Sequence, residues 1–437
     1  MRQRVVRLAL VAGVIAVALL VALNLRGGEG GTSEDKPRST ARHSAATQPR
    51  LTVPAAYDPR PGWEIAMASA EYAIARKAGR IGYLERTGGD RFRLRTLDTA
   101  TGRAGWTGRP WRPPASDGPL PRLLSVARDG REYFVTWTFG RAGEDTLTTA
   151  GTFVVLDVYG ADDGTRRRVE IPWPTAPTVS GTGPGILVGD GRTRSAVVDP
   201  ASGVVTQVPE TSLGHPKGCA GCRRLTEVRG LTAKGLLLSG ESGFWVRGGW
   251  YSRDVAPAGG DRASGVPTSV VPGRLLAVWR PAKGSKDAAT HDIWAVHDSA
   301  SGRPLVQVRC RRPAIEPGEY PQAVLAPGGG FLVAGNLAFD LERRTGHCFE
   351  ESDGSKPLTL TTVTDAGLAY GATSARGPAD ALAGGGTPIA LDLASGVPQP
   401  LASGVRLPGA EAAGVGLFGW TDTQDRPRLS GHRARTS

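Results

Sequence analysis

The pair of cysteines in the stretch HPKGCAGCRR is the strongest candidate for chemistry in this chain. Cys219 and Cys222 have the spacing of a redox dithiol, and His215 would add a third ligand for a zinc ion. A reactive thiol usually lies at a helix N-terminus, whereas this glycine- and proline-containing stretch predicts a loop between strands. We therefore favour a structural disulfide here and a second one between Cys310 and Cys348, although the sequence leaves the pairing open.

Motifs for hydrolysis are missing from the sequence. The chain has six histidines, but neither a Gly-x-Ser-x-Gly elbow nor a His-Glu-x-x-His pair occurs. The recurring aspartates fall at regular places in predicted turns, which indicates a structural role. We accordingly predict no catalytic residue, no metal-binding residue and no cofactor. An enzyme, a lyase or hydrolase with its site in a central channel, is the alternative.

One aromatic and basic segment, ESGFWVRGGWYSRD, departs from the repeating pattern of the rest of the chain. Departures from a local rule often mark functional sites. We predict that this segment, with the nearby cysteine loop, forms part of a binding surface. Its candidate residues are Trp245, Arg247, Trp250, Tyr251 and Arg253.

A repeated phrase shows which elements position these residues. LDTATGRAGW, VDPASGVVTQV, HDSASGRPLVQV and LDLASGVPQPL each place an aspartate before Ser-Gly or Thr-Gly, between two strand-like runs. The aspartate can accept backbone N–H bonds across a hairpin, and glycine adopts the positive φ that such a turn requires. The predicted turn pairs are Asp98 with Gly102, Asp199 with Gly203, Asp298 with Gly302, Asp340 with Gly346 and Asp392 with Gly396.

These five hairpins, a longer turn after Asp157 and one block of similar size without the phrase give seven units, which end near residues 110, 174, 210, 265, 313, 355 and 403. Units of this length, rich in strands and turns, predict an all-β fold, a single seven-bladed β-propeller. Six or eight blades remain possible because the fourth and last units are irregular. The stretch AEAAGVGLFGWTD reads as an extra strand that pairs near WEIAMAS and closes the ring.

The first unit resembles the tryptophan-docking repeat of the PQQ-like, or quinoprotein-dehydrogenase-like, β-propellers. Asp98, Thr101, Gly102 and Trp106 match its aspartate, Thr-Gly and tryptophan, whereas the other units keep the aspartate and glycine without the tryptophan. The adjacent cysteine pair and the calcium site of a quinone enzyme have no counterpart here. The resemblance therefore implies a non-catalytic, membrane-tethered member of the superfamily, used as a binding platform.

The N-terminus predicts a membrane anchor. LALVAGVIAVALLVALNL, residues 8–25, is free of charge and long enough to cross a bilayer. Arg2, Arg4 and Arg7 precede it, which places residues 1–7 in the cytoplasm and the remainder outside. Whether the segment is cleaved stays open. Residues 26–60 predict a disordered linker, 61–425 the propeller and 426–437 a disordered tail.

The net charge of +12 is carried mainly by scattered arginines. A basic extracytoplasmic domain without a nucleic-acid motif favours anionic surfaces over nucleic acid. We predict a single-pass protein of the cell membrane whose propeller binds or scaffolds in the bacterial cell envelope. Its expected partner is an envelope protein or an anionic cell-wall polymer, and a glycan or small ligand is a further alternative.

Overall fold

The computed structural model describes residues 51–113, 120–141, 151–216, 219, 227–313, 320–351 and 356–435. The described chain forms eight antiparallel sheets of three or four strands, joined as a β-propeller. Short apolar runs between turn residues produce these strands, and their alternating burial shows that neighbouring sheets pack face to face. The strand that opens each blade contacts the inner strands of the neighbouring blades and lies innermost; in blade 8 this strand is β29.

The first four blades follow the N-terminal strand β1 (Trp63–Ala66). Blade 1 contains β2 (Tyr72–Ala75), β3 (Arg80–Gly88), β4 (Arg91–Asp98) and β5 (Ala104–Thr107). Blade 2 contains β6 (Arg122–Arg128), β7 (Arg131–Arg141), β8 (Thr152–Gly160) and β9 (Arg166–Pro172). Blade 3 contains β10 (Thr178–Ser180), β11 (Ile186–Gly189), β12 (Ser195–Val198) and β13 (Val205–Val208). Blade 4 has three strands, β14 (Glu227–Thr232), β15 (Gly235–Gly240) and β16 (Gly243–Val246).

The remaining blades complete the ring. Blade 5 contains β17 (Val266–Val271), β18 (Arg274–Trp279), β19 (His291–Asp298) and β20 (Pro304–Arg311). Blade 6 contains β21 (Val324–Leu325), β22 (Phe331–Ala334), β23 (Leu337–Asp340) and β24 (Thr345–Cys348). Blade 7 contains β25 (Leu358–Val363), β26 (Leu368–Thr373), β27 (Thr387–Asp392) and β28 (Val397–Pro400), with the short helix α1 (Pro378–Ala383) between β26 and β27. Blade 8 contains β29 (Ala410–Ala412), β30 (Val415–Thr421), β31 (Pro427–Arg433) and β1 as its outer strand.

The seven-blade prediction is therefore wrong, since the structure has eight blades. The stretch predicted as one extra strand forms β29 and β30 of a complete sheet, and its predicted pairing with β1 is wrong because β31 lies between β30 and β1. Residues 426–437, predicted as a disordered tail, include β31, which pairs with both β1 and β30. Ser430 and His432 are buried in β31, so their polarity concealed an internal strand.

Eight hydrophobic clusters lie between successive blades and hold the ring together. The cluster between blades 8 and 1 packs Ile81 and Leu97 against Leu417 and Leu429. Blades 4 and 5 are joined around Phe244 and the other residues of their own cluster. Closing the ring gives every sheet a packed neighbour on both faces. Because burial of apolar surface is the main stabilising term in folding, this packing stabilises the ring.

The chain enters the propeller earlier than the predicted linker boundary. Tyr57 is buried against Tyr370 and Phe418, and its hydroxyl donates a hydrogen bond to Glu411 Oε2 at 2.7 Å. A β-bridge pairs Tyr57 with Ala434. The described residues before β1 thus form part of the interface between blades 7 and 8.

No helix in the described part of the chain is long and apolar enough to span a membrane. The predicted anchor, residues 8–25, lies outside the described residues.

Candidate functional site

The aspartate turns connect the third and fourth strands of the blades. In blade 1, Asp98 Oδ1 accepts hydrogen bonds from the Thr101 backbone N–H at 2.8 Å and the Thr101 hydroxyl at 2.6 Å. These bonds, the hydroxyl bond first, hold the pKa of Asp98 below its usual value. Gly102 has a φ of 69°, and its N–H donates to the Asp98 carbonyl at 2.8 Å. The carboxylate and the glycine together fix the turn.

The same geometry recurs, with one correction. Three further turns have an aspartate that accepts backbone N–H bonds and a glycine of positive φ; they are Asp199 with Gly203, Asp298 with Gly302 and Asp392 with Gly396. In blade 6, Asp340 accepts from Glu342 and Arg343, but the left-handed residue is Arg344, with a φ of 57°. Gly346, predicted as the turn glycine, instead pairs with Phe339 inside β24.

Three tryptophans dock onto turns of this kind in the next blade. Trp63 Nε1 donates to the Thr99 carbonyl at 3.0 Å, and Trp106 Nε1 donates to the Ala161 carbonyl at 2.8 Å. Trp250 Nε1 donates to the Ser299 carbonyl at 3.2 Å. Each indole covers a turn glycine three residues after its carbonyl acceptor, and a Cβ on that glycine would overlap the ring system; the glycines are Gly102, Gly164 and Gly302.

Sequence comparison of the units identified Trp106 alone as a docking residue. Trp106 was identified because it follows Asp98 and Gly102 in its own unit, although its partner glycine, Gly164, lies in the next blade. Trp63 and Trp250 follow no such aspartate turn, so their docking role leaves no signal in the sequence. Two other side chains occupy the docking place. Arg167 covers Gly203, and His347 covers Gly396.

The junction between blades 5 and 6 is covalent. Cys310 at the end of β20 and Cys348 at the end of β24 form a disulfide, as predicted. Gly346 allows β20 to approach closely, since a Cβ there would lie 3.0 Å from Val308 Cβ. Cys219 is also disulfide-bonded, whereas Cys222 lies outside the described residues. The pairing of Cys219 with Cys222 stays a prediction.

The predicted binding segment in blade 4 divides into packed aromatic residues and two separated arginines. Trp245 is buried, and its Nε1 donates to the Gly214 carbonyl at 3.2 Å. Tyr251 is buried, and its hydroxyl lies 3.2 Å from Cys219 Sγ, so the segment does contact the cysteine loop. With Trp250 docked on the next blade, the three aromatic residues share no exposed face.

The two arginines of this segment lie toward opposite ends of the blade. The Arg247 N–H donates to the Leu236 carbonyl at the start of β15, and its side chain is exposed. Arg253 stacks over Tyr251, whose hydroxyl donates to the Ser242 carbonyl at the other end of the sheet. Binding by Arg247 or Arg253 stays a prediction that variants of these two residues can test.

The buried histidine of blade 5 has a packing role. His297 is fully buried, and its Nδ1 lies 2.7 Å from the Gly302 carbonyl. A carbonyl can only accept, so Nδ1 carries the proton. Burial lowers the pKa of His297 to about 4, and the side chain is neutral at pH 7. His297 thus supports the turn on which Trp250 docks.

Two cavities line the channel side of blades 2 to 5. One, of about 210 Å³, lies among the inner strands of blades 3, 4 and 5, beside Ser180, Arg229, Thr268 and Gln322. The other, of about 190 Å³, is bounded mainly by glycines, prolines and aliphatic side chains. Thr182 and Val270 belong to both, so the cavities adjoin. A larger cavity, of about 420 Å³, lies in blades 2 and 3 beside Arg131, Tyr133 and Arg167, but the two adjoining cavities are the ones formed by inner strands.

The sequence matches no family model and no curated protein. Among solved structures, a protein from Lactobacillus plantarum is 11% identical, aligns over 79% of this chain and 86% of its own, and has a TM-score of 0.37. The N-terminal domain of Nup159 is 10% identical, with 84% and 90% coverage and a TM-score of 0.33. Acylaminoacyl peptidase of Pyrococcus horikoshii is 11% identical over 72% of this chain and 46% of its own, with a TM-score of 0.32. The propeller assignment rests on the sheet topology, and these similarities add no argument about function.

Proposed function

We propose that this protein is a membrane-anchored β-propeller that serves as a binding or scaffolding module in the bacterial cell envelope. Residues 8–25 would form the anchor, and the bases Arg2, Arg4 and Arg7 would hold the N-terminus in the cytoplasm. The propeller would then face the extracytoplasmic side. Two cysteine positions in disulfides, Cys310 and Cys348, support an oxidising compartment.

We further propose that the propeller belongs with the PQQ-like, tryptophan-docked type. Three indole-to-carbonyl bonds, from Trp63, Trp106 and Trp250, support this proposal, because each spans a blade junction with the same spacing to a turn glycine. The resemblance on sequence rested on a single unit. The repeated geometry extends it to three of the eight junctions.

The observation that carries the binding role is the lining of the channel-side cavities. Hydroxyl groups, an amide, aliphatic side chains and one arginine surround them. Such a lining presents hydrogen-bond donors and apolar surface, which are means of recognition. The net charge of +12, carried mainly by scattered arginines, adds an attraction for anionic polymers.

Topology is tested with two reporters fused after Ser437, one active only outside the cytoplasm and one active only inside it. We expect activity from the first reporter alone. Deleting residues 8–25 should abolish that activity, because the propeller would no longer be exported. Activity of the cytoplasmic reporter on the intact chain would refute the proposed orientation.

Polymer binding is tested by co-sedimenting the purified full chain with an anionic cell-wall polymer and with a neutral glucan. We expect retention on the anionic polymer at 0.05 M salt and release at about 1 M, where the Debye length falls to about 3 Å. The variant Arg247→Ala/Arg253→Ala should bind more weakly than the control Arg103→Ala/Arg303→Ala, which removes two exposed arginines from other blades. Equal retention of both variants would exclude the blade 4 segment from the contact.

A further inference from the structure

The cavity between blades 3 and 5 is bordered by irregular strand pairing. Two of its walls are β-bulges, where one strand carries an extra residue. The pairing of β14 with β15 passes from Val228 to Gly230 and leaves Arg229 unpaired. The pairing of β17 with β18 passes from Pro267 to Ser269 and leaves Thr268 unpaired. Neighbouring blades thus both interrupt their inner strand beside the same cavity.

Arg229, the arginine of this cavity, has N–H groups that are not used in hydrogen bonds to the described residues. Arg229 Nε donates to Ser239 Oγ at 3.1 Å, and Nη2 contacts Glu227 Oε2 at 2.5 Å. Within the described chain no partner is found for Nη1, and 47% of the side chain is exposed. Glu227 orients the guanidinium without belonging to the cavity lining. The contacts of Nε and Nη2 therefore hold the guanidinium in place, and Nη1 is available to bind a ligand.

The other polar groups of the lining are donors or hydroxyls. The Ser269 hydroxyl donates to Gln322 Oε1 at 3.3 Å, which leaves the Gln322 amide N–H groups as the free end of that side chain. Ser180 and Thr182 are half-buried, and their hydroxyls make no hydrogen bond to any described residue. Among the described residues of this lining, Arg229 is the one charged group. Glu227 pairs with Nη2 of Arg229, and the donors that remain, Nη1 and the hydroxyl and amide groups, match a ligand rich in acceptors.

The adjoining cavity supplies apolar surface. Leu231, Val271 and Pro272 line it beyond the shared residues Thr182 and Val270. A ligand with its acceptor group against Arg229 can thus extend a short apolar body toward blade 5. The polar cavity of about 210 Å³ equals the volume of about seven liquid water molecules. This is enough for a small organic anion.

We propose that this channel-side cleft binds a small organic anion, a carboxylate or phosphate ester with a short apolar body. Arg229 and the Gln322 amide would hold the anionic group, with Ser180 and Thr182 as further hydrogen-bonding partners. The apolar body would lie along Val270. The proposal rests on the binding role proposed above and gives it a ligand class.

The test uses butyrate and butyl phosphate as probes, with 1-butanol as the neutral comparison. Equilibrium dialysis with the full chain in lipid nanodiscs, corrected for empty nanodiscs, measures the binding. We expect saturable binding of at least one anion, with about one site per chain, and none of 1-butanol. Arg229→Ala and Gln322→Glu should each weaken binding at least tenfold, whereas Arg303→Ala, an exposed arginine of blade 5, should leave it unchanged.

If Arg229→Ala fails to fold, Gln322→Glu alone tests the anion site. This variant should fold, because Gln322 is exposed and glutamate keeps the acceptor for the Ser269 hydroxyl. Absence of saturable anion binding by the folded wild-type chain would overturn the proposal. Binding that is unchanged in the folded variants would overturn it equally. If the anions fail to bind while an envelope partner is still captured in cells, the ligand site is rejected and the scaffold role stands. Anion binding without any captured partner would reject the scaffold role alone.

Discussion

The glycine at the docking turn of blade 5 gives the sharpest test of how the ring is held. In Gly302→Ala, the new methyl group would overlap the indole of Trp250, and alanine would have to adopt a φ of 73°. Gly273→Ala is the matched control. Gly273 lies in the same blade with a φ of 74°, and a Cβ there meets no atom within 4 Å.

The left-handed backbone conformation costs alanine about 1 to 2 kcal/mol, and both variants incur this cost. Only Gly302→Ala also displaces Trp250 and breaks its bond to the Ser299 carbonyl. Complete removal of a packed tryptophan costs about 3 to 5 kcal/mol, and a lost hydrogen bond about 1 kcal/mol. Since Trp250 is half-buried and can partly relax, we expect Gly302→Ala to be less stable than Gly273→Ala by about 2 to 3 kcal/mol.

Urea unfolding of the purified full chain, followed by far-ultraviolet circular dichroism, measures this difference. Both variants should keep the wild-type spectrum at low urea. If the two unfold with free energies within about 0.5 kcal/mol of each other, the indole contact contributes little and the docking interpretation fails.

Three further predictions address the disulfide, the buried histidine and the strand approach. Replacing Cys310 and Cys348 together by serine removes a cross-link between residues 38 positions apart and should lower the free energy of unfolding in urea by about 4 kcal/mol. An unchanged urea midpoint would contradict this prediction. Because burial lowers the pKa of His297 to about 4, the folded state loses stability as the pH falls from about 6.5, where the unfolded side chain takes up its proton, toward 4. The wild-type chain should lose about 3 kcal/mol of unfolding free energy over that range, and His297→Asn should lack this loss, as measured by melting curves at pH 7 and pH 4. The same pH dependence in the variant and the wild type would refute the role of His297. Gly346→Ala, which crowds Val308, should lower the melting temperature, whereas Gly419→Ala, at a strand glycine without positive φ and with open space around it, should leave the melting temperature nearly unchanged.

The repeated turns and the short apolar runs allowed the all-β propeller and seven blade-sized units to be predicted from sequence, five of which carry a predicted aspartate turn. The eighth sheet was missed because its signals differ. The aspartate turn of the other blades joins their third and fourth strands, and in blade 8 these are β31 and β1, which no turn connects. Its outer strand, β1, comes from the other end of the chain, so the sheet has no continuous unit in the sequence.

The candidate site was harder to predict, for two physical reasons. The aromatic residues of the blade 4 segment are conspicuous in the sequence, yet Trp245 and Trp250 are used for packing between blades. The channel-side cleft instead depends on where the pairing of β14 and β17 slips by one residue, beside Arg229 and Thr268. A one-residue bulge leaves little trace in a pattern of alternating hydrophobicity.

The most direct test of the proposed binding role is cross-linking of the full chain in its native cells, followed by mass spectrometry of the captured material. Arg247→Ala/Arg253→Ala is the variant to compare, because truncating Trp250 would disturb the fold as well as the surface. We predict one envelope component that is enriched over an unrelated membrane-anchored control and is reduced in the variant. Capture of nothing above that control by the correctly folded wild-type chain would contradict the account.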